Sequence, residues 1–233
     1  MRRNISLYTA GRNGRVEIVN TAAPMVYLVD DDASFLNAIS RLLRASGFTV
    51  KAFASAHDFL SQYNAGTEGC LIVDLRMPGI TGLDVQAAVG RADNPLPVIF
   101  LTGEGDIQTS VRAMRGGAED FLEKRAPKEQ LLAAVRRALA RDQCERARRE
   151  HLRELRGRFE ALSEREREVL AHVAQGKLNK QIAADLGIHE RTVKLHRTAI
   201  TTKLRAPSVA EIMRLAQEAG VLSADGATFP KGQ

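Results

Sequence analysis

The sequence predicts an α/β domain built on an open, doubly wound parallel sheet, followed through a long helix by a small all-α domain. Three observations point there. Short apolar runs alternate with helical segments between Met25 and Pro127, the pattern turns wholly helical from Lys128, and the charge balance changes sign along the chain. Short continuous apolar runs set between helices mark strands buried on both faces, as in a parallel sheet with helices on each side.

The elements follow in order. Met25–Val29 is the first strand, and the helix after it places Phe35, Leu36, Ile39, Leu42 and Leu43 on one face. Phe48–Phe53, Cys70–Val73 and Val98–Leu101 are the next strands, and Phe121–Leu122 belongs to a short fifth; Gly82–Val89 and Ile107–Arg115 are among the intervening helices. From Lys128 a long helix begins, on which Leu131, Leu132, Val135, Ala138 and Leu139 form a stripe suited to the sheet domain. Its later part is strongly charged, with Leu152, Leu155, Phe159 and Leu162 at three- and four-residue spacing. Either a short coiled-coil seam or a solvated linker accounts for that pattern. Beyond it, Ser163 and Glu166 form a capping box for a helix that Gly176 stops. Asn179 is expected to cap Lys180–Leu186, Gly187 to end it, and Glu190–Leu204 to follow with Val193, Ile200 and Leu204 inward. Pro207 breaks that helix, and Ser208 and Glu211 repeat the capping pattern before Val209–Ala219. The expected domains are 25–127, a linker helix over 128–158 and a helical domain over 159–222. Residues 1–24 are read as a disordered arm, or Met25 as the true start, and 223–233 as a tail.

Length and composition set bounds. A chain of 233 residues, 44% hydrophobic and 27% charged, has the material for two ordinary domains. Apolar stretches such as 97–101 fall far short of the ~20 residues that span a bilayer, so no membrane insertion is expected. The first 24 residues carry Arg2, Arg3, Arg12 and Arg15 without the apolar stretch of a secretory signal. The two cysteines, Cys70 and Cys144, lie far apart, so neither a disulfide framework nor a structural zinc site is expected, and the expected compartment is the cytoplasm. No phosphate-cradling glycine loop for ATP or a dinucleotide is present. Residues 25–127 hold nine basic and thirteen acidic side chains, net −4, whereas 128–158 are net +5 and 159–233 net +2. An anionic partner for the second half follows from that asymmetry.

Ligands of open α/β sheets sit at the carboxyl ends of the strands. Here strand one ends in Asp30, Asp31 and Asp32, strand three in Asp74, strand four in Thr102 and strand five in Lys124. Taken alone, the aspartate triplet would cap the following helix; agreement among four strand ends favours a site. Carboxylates converging on one edge repel unless a cation joins them, and an all-oxygen set suits Mg²⁺. A carboxylate there can attack phosphorus to form an aspartyl phosphate, with Lys124 and the Thr102 hydroxyl meeting the phosphoryl oxygens.

These residues, Val29-Asp30-Asp31-Asp32, Val73-Asp74-Leu75-Arg76-Met77-Pro78-Gly79, Leu101-Thr102-Gly103 and Glu123-Lys124, resemble the receiver domain of two-component response regulators over roughly 25–124. The resemblance implies a flavodoxin-like strand order and phosphorylation of Asp74 by a sensor histidine kinase. It further implies Mg²⁺ bound by Asp31, Asp74 and the main-chain carbonyl of Arg76, with Asp30 acting mainly through water. Asp32 matches a position often acidic but not a ligand. Thr102 and Phe121 match a switch pair, in which the hydroxyl drawn to the phosphate lets the aromatic ring turn inward. One residue departs from the pattern. Arg125 follows Lys124 where receivers have proline behind a cis bond, and a cis bond before a non-proline costs about 3–4 kcal/mol. Either that strain is tolerated or the bond is trans and the Lys124 loop is rebuilt.

In the second domain a short helix, a glycine turn and a longer helix make a helix-turn-helix. Over 177–205, seven lysines and arginines face only Asp185 and Glu190, net +5, where phosphate neutralisation is needed. The outer face of the third helix presents Arg191, Lys194, Leu195, Thr198 and Thr202. Lysine can bond guanine, and Leu195 and the Thr198 methyl can touch a thymine methyl. The segments Leu162–Leu170, Asn179–Ala183 and Arg191–Arg197 resemble the LuxR-type helix-turn-helix, and with the receiver the chain is similar to transcriptional response regulators of the NarL/FixJ class. This implies base contacts from Lys194, Leu195 and Thr198, phosphate contacts from Lys180, Thr192 and Arg197, and dimerisation through the helix after Ser208. His189 stands where the class often has serine as the recognition-helix cap, and histidine caps less well.

The expected function is a phosphorylation-dependent transcription regulator that binds promoter DNA as a homodimer, with RNA polymerase as a further partner. The alternative keeps DNA binding but makes the receiver a phosphate-independent protein-interaction module. An enzyme is not expected: Mg²⁺-dependent phosphatases similar to the haloacid dehalogenase class need a second acid two residues beyond the nucleophile, where Arg76 stands.

Overall fold

The computed structural model describes residues 25–221, apart from positions 65, 93–94 and 104–106. The arm expected over 1–24 and the tail expected over 223–233 lie outside the described residues. The chain divides into two compact units, with the boundary between Glu145 and Arg146.

The first unit holds strands β1 (Met25–Val29), β2 (Thr49–Phe53), β3 (Cys70–Asp74), β4 (Val98–Thr102) and β5 (Asp120–Glu123). They form one parallel sheet in the order β2-β1-β3-β4-β5. Helices α1 (Ala33–Ala45), α2 (Ala56–Gln62), α3 (Gly82–Gly90), α4 (Ile107–Arg115) and the first part of α5 (Lys128–Glu160) connect and cover it. The period-two geometry of a strand sends alternate residues to opposite faces. Val26, Leu28, Cys70, Ile72, Ile99 and Leu101 pack with Leu43 of α1 and with Leu131, Ala134, Val135 and Ala138 of α5. Val29, Leu71, Val73, Val98 and Phe100 pack instead with Phe59 of α2, Val85 and Val89 of α3 and Ala113 of α4. Both faces are therefore covered, and every residue of β3 and β4 is buried.

The order reverses direction between β1 and β3, so the loops after these strands open a crevice where ligands bind in such sheets. Register aligns the strand ends there: Val29 pairs with Val73, Asp74 with Leu101, and Thr102 with Glu123. Beyond β5, the Lys124 N–H donates to the Thr102 carbonyl at 2.7 Å, and the Ala126 N–H donates to Glu123 at 2.9 Å. The chain thus reverses in a β-turn with Lys124 and Arg125 at its centre, and no cis bond occurs among the described residues. Of the two outcomes open for Lys124–Arg125, the trans bond holds.

The second unit contains the rest of α5 with α6 (Glu164–Ala174), α7 (Asn179–Leu186), α8 (Glu190–Leu204) and α9 (Val209–Glu218). Ser163 and Glu166 close the expected capping box, through bonds of 3.2 Å and 2.7 Å. Ser208 accepts the Glu211 N–H at 3.2 Å. Gly187, at φ 64°, ends α7 in the left-handed conformation that glycine adopts without steric cost. Arg205 ends α8 at φ 52°, the one non-glycine residue of positive φ among those described.

Two expectations are corrected here. Leu155, Phe159 and Leu162 are buried with Val169, Leu170, Ile182, Val193, Ile200 and Leu204. The stripe near the end of α5 is thus neither a coiled-coil seam nor a solvated linker, because its apolar side chains complete the core of the helical unit. Asn179 is the first residue of α7 and not its cap; Leu178 is the N-cap. The Asn179 amide oxygen instead accepts from Arg197 Nη1 at 2.8 Å, tying α7 to α8.

Candidate functional site

The carboxyl edge of the sheet gathers the first set of candidate residues. Asp30 is 1% exposed and Asp74 buried, while Asp31 reaches solvent. Oxygens of these three carboxylates lie within 4.8 Å of one another. Lys124 Nζ joins two of them, at 2.7 Å from Asp30 Oδ2 and 3.1 Å from Asp74 Oδ2. The main chain prepares this geometry. The Asp30 N–H donates to the Phe53 carbonyl at 3.1 Å, and Asp30 Oδ1 accepts the Asp32 N–H at 2.9 Å. On the other side, Thr81 and Asp84 form a capping box that starts α3 immediately after the Asp74 loop. Gly82 passes so close that a Cβ there would collide with the Asp74 carbonyl.

Electrostatics follow from two carboxylates sharing one ammonium in a largely dry edge. Burial pushes the Asp30 carboxyl above the ordinary carboxylate range, and the hydrogen bond from Lys124 does not offset it. Burial also works against the Lys124 charge, but its hydrogen bonds to Asp30 and Asp74 outweigh that and hold its pKa above the ordinary lysine value. The lysine thus stays charged between the two carboxylates. An oxygen-only set of this kind fits a hard divalent cation. Asp32 is not part of it: its carboxylate caps α1, accepting the Ser34 N–H at 2.9 Å and the Phe35 N–H at 3.1 Å.

Thr102 is buried beside this edge, at the end of β4. Phe121 is half-buried, with its ring centroid 6.0 Å from that of Phe100. Arg76 is exposed in the loop after β3. One neighbour escaped sequence reasoning: the ring of Phe35 lies over Lys124, with Nζ 4.6 Å from its centroid. The periodicity of α1 assigns Phe35 to the core stripe, and only its place in the first turn after a strand end hints at the pocket.

The second set lies on the helical unit. Val193, Ile200 and Leu204 turn α8 inward as expected. Lys180, Arg191, Lys194, Leu195 and Thr198 are exposed, while Thr192 and Arg197 are half-buried, Arg197 through its bond to Asn179. Leu195 is 64% exposed, and Leu178, at the start of α7 and outside the expected set, is 70% exposed. Lys194 lies 3.4 Å from Glu190, an exposed pair of little energetic weight. The Thr198 hydroxyl donates to the Lys194 carbonyl at 3.1 Å, within its own helix. His189 starts α8 with no side-chain cap bond. Glu166 joins Lys203 at 2.7 Å, pinning α8 to the start of α6.

A carboxylate–lysine pocket on a parallel sheet, together with a basic, outward-facing helix of a helix-turn-helix, defines a regulator that couples a signal-receiving α/β domain to DNA. Comparison with known proteins agrees. Residues 26–136 match the response regulator receiver domain, and residues 160–216 match the bacterial regulatory proteins of the luxR family. The chain belongs to the transcriptional response regulators that join these two domains. It is 41% identical over 211 residues to nodulation protein W of Bradyrhizobium diazoefficiens, covering 91% of this chain and 92% of that protein. It is 42% identical over 195 residues to the response regulator protein TodT of Pseudomonas putida, covering 84% and 86%. A solved structure of the response regulator StyR matches with a TM-score of 0.78 at 40% identity, covering 84% of this chain and all of that one. Among the described residues no helix is long and apolar enough to cross a membrane.

Proposed function

We propose that Asp74 is the phosphoacceptor of this regulator and that its phosphorylation by a sensor histidine kinase controls binding to promoter DNA. The observation that carries the reading is Lys124 Nζ bridging Asp30 and Asp74 across the switch point of the sheet. An Asp74 carboxylate oxygen attacks the phosphorus of a phosphohistidine; the P–N bond breaks, the histidine leaves, and an acyl phosphate forms. Asp30, Asp31, Asp74 and the main-chain carbonyl of Arg76 would hold Mg²⁺, which when bound neutralises charge on the incoming phosphoryl group. Lys124 meets a phosphoryl oxygen with its ammonium, and the Thr102 hydroxyl donates to another. Movement of Thr102 frees space beside Phe121, whose ring turns inward and changes the surface around β5. The position of Lys124 supports this reading, since with Arg125 after it the ammonium is still in reach of both carboxylates.

In the helical unit, Lys194, Leu195 and Thr198 read base edges in the major groove, while Lys180, Arg191, Thr192 and Arg197 meet phosphates. The receiver over 25–127 and the DNA-binding domain over 159–222, joined by the helix of 128–158, act as a homodimer on paired half-sites when phosphorylated. The setting is the cytoplasm, where RNA polymerase is the further partner; no catalytic turnover belongs to the reading.

Intact mass after incubation with Mg²⁺ and acetyl phosphate tests it. A phosphoryl-sized gain, absent from Asp74→Ala, together with tighter DNA binding, is expected. A folded wild type that gains nothing would overturn it and leave the receiver as a phosphate-independent interaction module.

A further inference from the structure

We propose that Phe35 is a positioning residue for phosphoryl transfer: its ring aims the Lys124 ammonium at the phosphoryl group on Asp74. The inference rests on the phosphoacceptor reading above.

A lysine ammonium has three N–H donors on a long, flexible, strongly hydrated stem. Two carboxylates take part of that capacity, at 2.7 Å and 3.1 Å. The Phe35 ring covers Nζ at 4.6 Å, and the Lys124 side chain is left only 19% exposed. An aromatic face is the negative end of the ring quadrupole, so it attracts the cation while offering no hydrogen bond that would draw it away. The ring thus replaces water around the ammonium without competing with the carboxylates for its protons.

The ring is itself anchored. Asp32 caps α1 by accepting the Phe35 N–H, and the Leu36 N–H donates to the Asp32 carbonyl at 2.9 Å. Phe35 also packs on the apolar cluster that contains Val26, Leu28 and Leu43. Its backbone is therefore fixed by the cap and its ring by the core, which leaves Lys124 as the mobile partner. When Asp74 becomes an acyl phosphate, its carboxylate charge is lost and the negative charge moves outward to the phosphoryl oxygens. Lys124 must follow that shift, and the ring lies against the ammonium from which the shift starts. An aliphatic residue of similar size fills the same core space but presents no such face.

The test compares wild type, Phe35→Leu and Phe35→Tyr as full chains, by the rate of phosphoryl incorporation from acetyl phosphate at varied Mg²⁺. Phe35→Leu is expected to slow incorporation about three- to tenfold, the rate equivalent of losing a partly desolvated cation–π contact. Phe35→Tyr, which keeps the aromatic face, is expected to stay within about twofold of wild type by the same reasoning. Half-saturation by Mg²⁺ should be unchanged in both, because Phe35 offers no cation ligand. Equal rates for wild type and Phe35→Leu would overturn the inference, as would equal impairment of the Leu and Tyr variants, which would reduce Phe35 to packing. A wild type that takes up no phosphoryl group would overturn the phosphoacceptor reading and this inference with it.

Discussion

The two units handle charge in opposite ways. In the sheet unit the candidate charges are drawn inward: Asp30 and Asp74 are buried at converging strand ends and share one lysine. In the helical unit they are pushed outward: α8 buries Val193, Ile200 and Leu204 and leaves Lys194 and Arg191 in solvent. The difference matches the partners. A small phosphoryl group must be surrounded, and a dry pocket strengthens each contact with it. A DNA duplex is too large to surround, so its phosphates are met by cations held at a surface. Each unit also pairs a lysine with buried carboxylate, Lys124 with Asp30 and Asp74 in the first and Lys203 with Glu166 in the second. The first sits where chemistry is proposed; the second only fixes a helix.

The largest expected effect tests whether the end of α5 belongs to the helical unit. Leu155→Ala, at a fully buried site, is expected to destabilise that unit by about 2–5 kcal/mol. Hydrogen-exchange protection should fall across α6–α9 and stay unchanged in β1–β4. An equal fall in both would break the division between the units.

Next is the outward-facing surface. Lys194→Ala is expected to weaken binding to a selected DNA site by about 1–3 kcal/mol and relax preference at one base pair. Lys180→Ala should instead weaken binding to all sequences alike and lower the salt slope by about one. Titrations across salt concentrations would read both, and identical profiles for the two variants would remove the assigned division between base and phosphate contacts.

The smallest effect concerns the purely structural link. Burial alone would raise the Glu166 carboxyl, but its hydrogen bonds with Lys203 and Ser163 outweigh that and hold it below its ordinary 4.5. A depressed folded value gives stability that is full above the unfolded value and lost as pH falls through the folded one. The helical unit should therefore lose about 1 kcal/mol on acidification below that range, since solvent at the exposed Lys203 screens the pair. Urea midpoints of Glu166→Gln should vary less with pH there, and parallel curves for both proteins would show the link to be inert.

Much of the site was legible because periodicity reports it directly. Continuous apolar runs place β1, β3 and β4, and the polar residue that ends each run is Asp30, Asp74 or Thr102. The inward stripe of α8 was legible for the same reason, since three residues at helical spacing leave the basic ones outside. Other features depend on groups far apart in the chain. Asn179 suits an N-cap by type, yet Arg197 claims its side chain. Leu155 and Phe159 carry a periodicity that a seam, a linker or a core would share, and only neighbours on other helices select the core.

By itself, then, the sequence determined the strand and helix types, the strand-end residues and the sign of charge on each surface. These depend on local period and residue chemistry. Only the tertiary structure decided that Lys124 reaches both carboxylates through a trans turn, that Phe35 covers its ammonium, and that α5 ends inside the helical core. Those are matters of distance between residues remote in sequence, and distance is set by packing.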